Sequence, residues 1–439
     1  MRKILIRAWV NPLEPLDPAK VTGNNMIGNN AGNLMFAHSI MRTLLCDDMT
    51  VDTIMTYREF SDREVDYYNS EYECFIIPLA NAFRISFQQE LIYLRHLVDR
   101  LTIPCVVIGV GMQGKVDVDV KQHFQFDDEV VKFVKSILGK SAILGVRGEI
   151  TAAYLKKLGF AEERDFTVIG CPAMYMNGDE LAVKALVELQ RSSKVSVNRK
   201  PGISAKMHNF IVKSSKEFDD YMYIPQGIED LALLYAGRPF QKKKHPKLHA
   251  TYPGDVQNEI YAGGHEIGFV NVVSWLEFLK TRDFSFGTRI HGNIAAIVAG
   301  VPAFVFAPDA RILELAQYHN IQYMLTKDVK DTTNIFDVYE KADFNRVKDG
   351  HVKRFHHYLD FLETNGLQHV YGKERVNIET PFDRALREKE FCKGIEPITL
   401  ATSKEQIARK SKYYCQLVAG KCARVVDESR RKSIRVGEE

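Results

Sequence analysis

Strong net charge is missing from this 439-residue chain: 59 Lys and Arg against 56 Asp and Glu leave a formal +3, too little to recruit a polyanion by overall charge. That argues against nucleic acid as a partner, and any recognition of anions has to be local. No apolar run approaches the roughly 20 residues a membrane-spanning helix needs. The start, "MRKILIRAWV", resembles a signal sequence only briefly, because Arg7 interrupts it and no small-residue cleavage site follows; it reads as a first strand. Cysteine is sparse and unpatterned. Cys46, Cys74, Cys105, Cys171, Cys392, Cys415 and Cys422 are odd in number and irregular in spacing, which predicts reduced thiols in a reducing compartment, the cytoplasm. Cys415 and Cys422 are too far apart for a zinc knuckle, and "HPKLH" (His245 to His249) carries Pro246 inside what would be a helical metal pair. No metal is expected. Short-period repeats are also lacking.

What is present is an ordinary globular composition, 45% hydrophobic and 26% charged, on a chain too long for a single core, so two domains are predicted. Short apolar runs ("KILIRAWV", "ECFIIPLA", "IPCVVIGVG", "SAILGVR") alternate with helical stretches ("AGNLMFAHSIMRTLL", "FQQELIYLRHLVDRL", "DDEVVKFVKSIL", "EITAAYLKKLG"), the pattern of parallel strands with crossover helices. From "KVSVN" the order begins again with "YMYIPQG", "EDLALLYAG", "VVSWLEFLKT", "DFSFGTR" and "AFVFAP". The reading is an α/β protein of two doubly wound, Rossmann-like halves, 1–185 and 186–330, facing a cleft. Ligands of such open sheets bind beyond the carboxyl ends of the strands. Residues 331–400 read as a helical extension. The segment 401–439 reads as a basic tail, partly disordered or an interaction arm: from Lys404 onward ten Lys or Arg face five acids, giving +5, so the rest of the chain carries −2 of the total.

The most informative stretch is "DFSFGTRIHGNIAAIVAGVPAFVFAPDARILE". A strand delivers the chain through "GTRIHG" to a small-residue helix, and free N–H groups at a helix N-terminus attract anions. Arg289 adds a planar fork of donors suited to carboxylate or phosphate. His291 lies two residues on, so if the strand persists through both, their side chains share a face. A core histidine bonded to backbone explains the same residue, and spacing leaves both readings open. "NNMIGNNAGN" is rich in residues that tolerate positive φ and is a candidate anion nest, with Asn30, Gly32 and Asn33 in it. "GVGMQG" matches a dinucleotide fingerprint, but no helix opens from it, and Gly111 reads as part of a tight turn at the cleft rim. In "YIPQGIED", Tyr223, Gln226, Glu229 and Asp230 face the same predicted cleft as candidates to bind acceptor hydroxyls, though Glu229 and Asp230 also suit a helix start. Asp309 reads as an N-cap, with a base role as the alternative because it follows a strand of the same sheet.

These segments, taken in order, resemble the polysaccharide pyruvyl transferase family. The R-x-H turn, small-residue helix, "G-V-P" and following strand look like its signature; "GNNAGNLMFAHSIMRTLL", "PCVVIGVGMQG", "ILGVRGEITAAYLKKLGF" and "VIGCPAMYM" resemble its earlier segments, over about residues 1–326. Three places depart from the family's usual pattern: "CFIIPLANAFR" stands where a glycine-rich loop is usual, and Asn33 and Gly148 where an acid is common. The resemblance implies a fold similar to GT-B glycosyltransferases, phosphoenolpyruvate as donor with no further cofactor, and a sugar or glycan acceptor. It places donor-binding arginines at Arg147 and Arg289 and a catalytic histidine at His291, acting as general acid or phosphate ligand. Gly292, Asn293, Gly111, Asn30, Gly32, Asn33 and Gln226 complete the expected substrate-binding set. A nucleotide-sugar glycosyltransferase of the same architecture and a non-catalytic glycan- or anion-binding descendant are the alternatives. Assembly into a homo-oligomer is left open.

Overall fold

The computed structural model describes residues 2–436, with side chains described through Cys422. In the first half, β1 (Arg2–Arg7), β2 (Met49–Ile54), β3 (Cys74–Pro78) and β4 (Cys105–Ile108) form a parallel sheet in the order β2-β1-β3-β4. Strands β5 (Leu144–Val146) and β6 (Phe166–Val168) pair with each other, and β5 joins β4 through a Val110–Val146 bridge and a 2.9 Å bond from the Gly109 N–H to the Gly145 carbonyl. In the second half, β7 (Lys194–Asn198), β8 (Asp220–Tyr223), β9 (Phe284–Gly287), β10 (Ala303–Ala307) and β11 (Tyr323–Leu325) are ordered β11-β10-β9-β7-β8, all parallel.

Counted within its own half, each sheet therefore runs second strand, first, third, fourth, fifth. The winding reverses between β1 and β3 in one half and between β7 and β9 in the other, and such reversals open a crevice at the carboxyl ends of the strands. The two expected doubly wound halves are present. Strands β3, β4, β9 and β10 are buried at every residue, as runs covered on both faces by helices must be. Strand β2, which the apolar runs did not announce, fully buries only Met49 and Val51 because it forms an edge. β11, also at an edge, has one exposed and two half-buried residues.

The chain crosses between the sheets through residues 180–190, which have no regular structure. The halves share a core in which Ile27, Ala31 and Met35 pack with Cys171, Ile294 and Ala295. Asn30 and Gly227 form an antiparallel bridge across the same junction. The helix His351–Thr364 returns to the first half, where Phe355, Tyr358 and Phe361 join Ile4, Ile6, Ile76 and Ile108 in one apolar cluster. Arg42 fastens this return, donating to Asp383 at 2.9 Å, Tyr371 at 3.1 Å and Asn377 at 3.0 Å.

Within the segment expected to be a partly disordered tail or an interaction arm, Ser403–Val436 is a helix. Its low content of large apolar residues conceals a narrow packing face. Tyr413 is fully buried and receives a hydrogen bond from Arg238, Gln416 bonds Asn24 at 3.2 Å, and Gly420 lies against Asn24. A face three to four residues in period, docked on the helices Pro18–Asn24 and Ile228–Ala236, orders what composition alone assigns to solvent.

Candidate active site

The winding reversal of the second sheet is where the R-x-H turn lies. Register places Asn198, the last residue of β7, opposite Gly287 of β9. Gly287 has φ 151°, and a Cβ there would run into the Asn198 carbonyl, so this position admits only glycine. Asn198 then organises the turn: its carbonyl accepts from the Thr288 N–H at 3.0 Å and its side-chain oxygen from the Arg289 N–H at 2.7 Å. The helix begins at Ile290, with Arg289 as its N-cap residue. The strand ends before either residue, so Arg289 and His291 do not share a strand face: Arg289 is the N-cap and His291 lies in the first turn of the helix. The backbone turns two residues earlier because Asn198 captures the Arg289 N–H.

Asn293 is fully buried and its amide is consumed by the turn, donating to the Arg289 carbonyl at 3.0 Å and accepting from Asn198 at 3.2 Å. It shapes the site through the backbone. Gly292 leaves room for Gln226 and Asn198, whose side-chain nitrogens would lie 2.6 and 3.0 Å from a Cβ at that position. The Gln226 Nε2 is buried and without an acceptor among the described residues.

His291 is 8% exposed and lies at the seam of the two halves. Its Nδ1 would be 2.8 Å from a Cβ on Gly32, its Nε2 is 3.9 Å from the Cys171 sulfur, and the Phe36 ring meets it edge-on at 5.3 Å. Burial pushes its pKa down to about 3, helped by the guanidinium groups of Arg147, Arg311 and Arg289. The imidazole is neutral in the unliganded site. Arg147 is 1% exposed and donates through Nε and Nη2 to the Gly109 carbonyl at 3.3 and 3.0 Å. Its stem crosses Gly111, where a Cβ would stand 2.7 Å from Cγ. Burial lowers even this guanidinium to about 10. Neither Arg147 nor Arg289 has a carboxylate partner within ion-pair distance among the described residues.

Four further charged groups join this cluster that sequence reading did not assign to it. Lys200, just past β7, pairs with Asp309 at 2.5 Å; burial lowers its ammonium to about 8, and Arg311 and Arg289 add to that. Arg311 reaches Asp309 at 3.5 Å. Asp309 also caps its helix, accepting from the Ile312 N–H at 3.1 Å, as its position after a strand implied. Glu314 crosses to the other half: its carboxylate accepts from the N–H and hydroxyl of Thr151 at 3.0 Å, capping the helix Glu149–Lys157. Gly148 makes this approach possible, since a Cβ there would lie 2.8 Å from that of Glu314. Burial raises Glu314 to about 7 against the pull of Arg147. The only sequence signal for these groups was that "NRK" and "PDARILE" follow strands of the same sheet.

The asparagine-rich loop is folded on itself. Asn30 accepts from the Gly32 N–H at 3.0 Å, and Asn33 donates to the Ile27 carbonyl at 2.9 Å. Asp230 caps its helix from within, accepting from the Gly227 N–H at 3.0 Å and from the Tyr252 hydroxyl at 2.9 Å, and burial raises it to about 6. Among the described residues no group of His, Cys, Asp or Glu could hold a metal ion, and no helix is long and apolar enough to cross a membrane. The seven cysteines are free thiols.

Arg147 and Arg289, from opposite halves, thus both act electrostatically on one histidine at a sheet's switch point, and the sequence profile of the polysaccharide pyruvyl transferase family matches residues 30–310, spanning all three. The chain belongs to the polysaccharide pyruvyl transferase family. Comparison with curated proteins returns no match. Among solved structures, this pyruvyl transferase family member is similar to the UDP-GlcNAc 2-epimerase of Methanocaldococcus jannaschii (TM-score 0.43, 11% identity, 83% of this chain and 99% of that one). It is also similar to a functionally uncharacterised protein from Klebsiella pneumoniae (TM-score 0.39, 12% identity, 74% and 92%). A third is the UDP-GlcNAc 2-epimerase of Neisseria meningitidis (TM-score 0.38, 8% identity, 88% and 98%).

Proposed function

We propose that this protein transfers a pyruvyl group from phosphoenolpyruvate to two hydroxyls of a sugar, forming a ketal and releasing phosphate. The observation that supports this reading is the convergence of Arg147 and Arg289, each without a carboxylate partner, on the buried neutral His291. Phosphoenolpyruvate carries a carboxylate and a phosphate on three carbons. Guanidinium groups from two halves suit both ends of such a molecule, and the first turn of the helix Ile290–Val298 supplies N–H donors.

In the reaction the donor's methylene carbon takes a proton and becomes a methyl group, leaving positive charge on C2. One sugar hydroxyl adds at C2, the C–O bond to phosphate breaks, and a second hydroxyl closes the ketal. Of the two hydroxyl protons, one is matched by the proton gained at the methyl group and the other leaves on phosphate. His291 starts neutral because it is buried and three guanidinium groups add to the effect. A bound trianion reverses that field and raises its pKa, so the donor itself charges the imidazole for its role as acid.

The test is phosphorus NMR of the full chain with phosphoenolpyruvate and a panel of sugars, glycosyl phosphates and nucleotide sugars. Inorganic phosphate should appear only with both substrates present, and Arg289→Lys should weaken donor binding about ten- to a hundredfold, the loss of one charged, bidentate contact of about 1.5–3 kcal/mol. Stabilisation by a nucleoside diphosphate with no response to phosphoenolpyruvate would favour a glycosyltransferase instead. Donor binding without phosphate release would favour a non-catalytic protein.

A further inference from the structure

The second winding reversal, between β1 and β3, also opens into a cavity. It has a volume of about 290 Å³ and is lined by Arg7, Trp9, Tyr57, Arg84, Phe87 and Arg311, with the asparagine loop as one rim. Its position follows from the topology, since Arg7 to Trp9 leave β1 and Arg84 lies beyond the carboxyl end of β3. It adjoins the donor site without coinciding with it. Phe36 lines the cavity and touches His291, and Arg311 belongs to both, whereas Arg147, Arg289 and Lys200 lie outside it.

The walls divide by chemistry. Trp9 and Tyr57 lie 5.4 Å apart at 33° and form an aromatic face, with Tyr57 47% exposed. The indole is held by the loop: Gly28 has φ 59°, and a Cβ there would strike the Trp9 ring. Arg7 is already neutralised, paired with Glu90 at 3.0 Å and bonded to Thr56 at 2.8 Å, and its guanidinium buttresses the rings of Tyr57 and Phe87 at 5.3 and 5.7 Å. Arg84 and Arg311 differ. Arg84 forms no ion pair within 4.0 Å among the described residues; its one side-chain bond goes to Gln113 at 3.0 Å. Arg311 pairs, among the described residues, only with Asp309, at 3.5 Å and shared with Lys200. In both, the Nε is buried with no acceptor among the described residues. Each is close enough to oppose the other's charge. Two mutually repelling guanidinium groups beside an aromatic wall match a ligand that is anionic at one end and a flat, C–H-faced ring at the other.

We propose that this cavity is a second binding site and that it takes a glycosyl phosphate, with the sugar ring against Trp9 and Tyr57 and the phosphate between Arg84 and Arg311. That this ligand is the acceptor rests on the pyruvyl transfer proposed above; that the cavity binds it does not. A phosphate suits two converging forks better than a sugar carboxylate, because its three terminal oxygens can serve both. The site would then favour a phosphorylated or diphosphate-linked sugar over a free one. The reaction class that must precede such an enzyme is activation of a sugar at its anomeric carbon.

The test is calorimetric titration of the full chain, without phosphoenolpyruvate, using the 1-phosphates of glucose, galactose, mannose and N-acetylglucosamine, the parent sugars, inorganic phosphate and glucuronate. At least one glycosyl phosphate should bind about tenfold or more tighter than its parent sugar and than inorganic phosphate. Arg84→Ala should remove the advantage over the parent sugar, and Trp9→Ala the advantage over inorganic phosphate. Arg84→Lys should keep part of the binding, which separates lost recognition from lost folding. Arg84 is used because Arg311 also faces the donor site. Phosphoenolpyruvate affinity should stay within about twofold in Arg84→Ala. Tighter binding of glucuronate, equal binding of sugar and sugar phosphate, or no ligand of the panel binding better than about 1 mM overturns the assignment. Equal damage to phosphoenolpyruvate binding in Arg84→Ala overturns it too, by making the cavity part of the donor site. Glycosyl phosphate binding by a protein that ignores phosphoenolpyruvate would leave the cavity assigned and remove the donor.

Discussion

Glu314 shows how one side chain couples the halves. It sits in the second half, caps a helix of the first, and faces the field of Arg147. Its folded pKa of about 7 lies above the ordinary carboxylate value, so its stabilising contribution is complete at pH below about 4.3 and is lost as pH rises through about 7. Glu314→Gln removes that dependence. Measured by urea unfolding between about pH 5 and 9, wild type should lose on the order of 2 kcal/mol relative to the variant as pH rises. A difference independent of pH would show that the carboxylate is ionised throughout. Residues of this kind were invisible in the sequence. "PDARILE" shows that Asp309 can cap a helix, because the cap is local, but nothing local says that Glu314 reaches Thr151 of another sheet.

Elements were legible in proportion to how much of their burial was local. The central strands announced themselves as uninterrupted apolar runs, and the strand–turn–helix around Arg289 was anticipated, though not its first helical residue, which Asn198 sets from a neighbouring strand. Edge strands β2 and β11 and the tail helix were missed for one reason: each depends on a neighbour distant in sequence for a face too narrow to give a periodic signal. The tail helix is held chiefly by Tyr413, wholly buried. Tyr413→Ala should lower unfolding free energy by about 3 kcal/mol and loosen helix 403–436 in hydrogen exchange, with donor affinity unchanged. Little change in either measurement would mean that the helix docks elsewhere in solution.

For the molecule as a whole, buried ionisable groups pull stability in opposite directions as pH changes. His38 and His291 are lowered to about 3 and His208 to about 4, chiefly by burial, so the stability they contribute is present above about pH 6.5 and is lost as pH falls toward their folded values. Asp230 and Glu314, raised to about 6 and 7, contribute stability that is lost as pH rises through those values. Three histidines outweigh two carboxylates, so the thermal midpoint should rise from about pH 4.5 to about pH 7, less steeply than the histidines alone would give, and Lys200, lowered to about 8, continues the rise beyond. A midpoint that falls between about pH 5 and 7 would contradict the burial of the histidines.

By itself the sequence determined the class of each half, the motif that carries Arg289 and His291, and the earlier turn that carries Arg147, because strand runs, capping residues and glycine turns act over a few neighbours. Only the tertiary structure decided that the two windings are the same and that each reversal opens a crevice. It alone brought Arg311 to the histidine, set Lys200 and Glu314 beside the arginines around it, and turned Arg84 toward an aromatic wall. Charge and burial act through space, and two residues far apart in the chain acquire a shared field only once the sheets have been packed together.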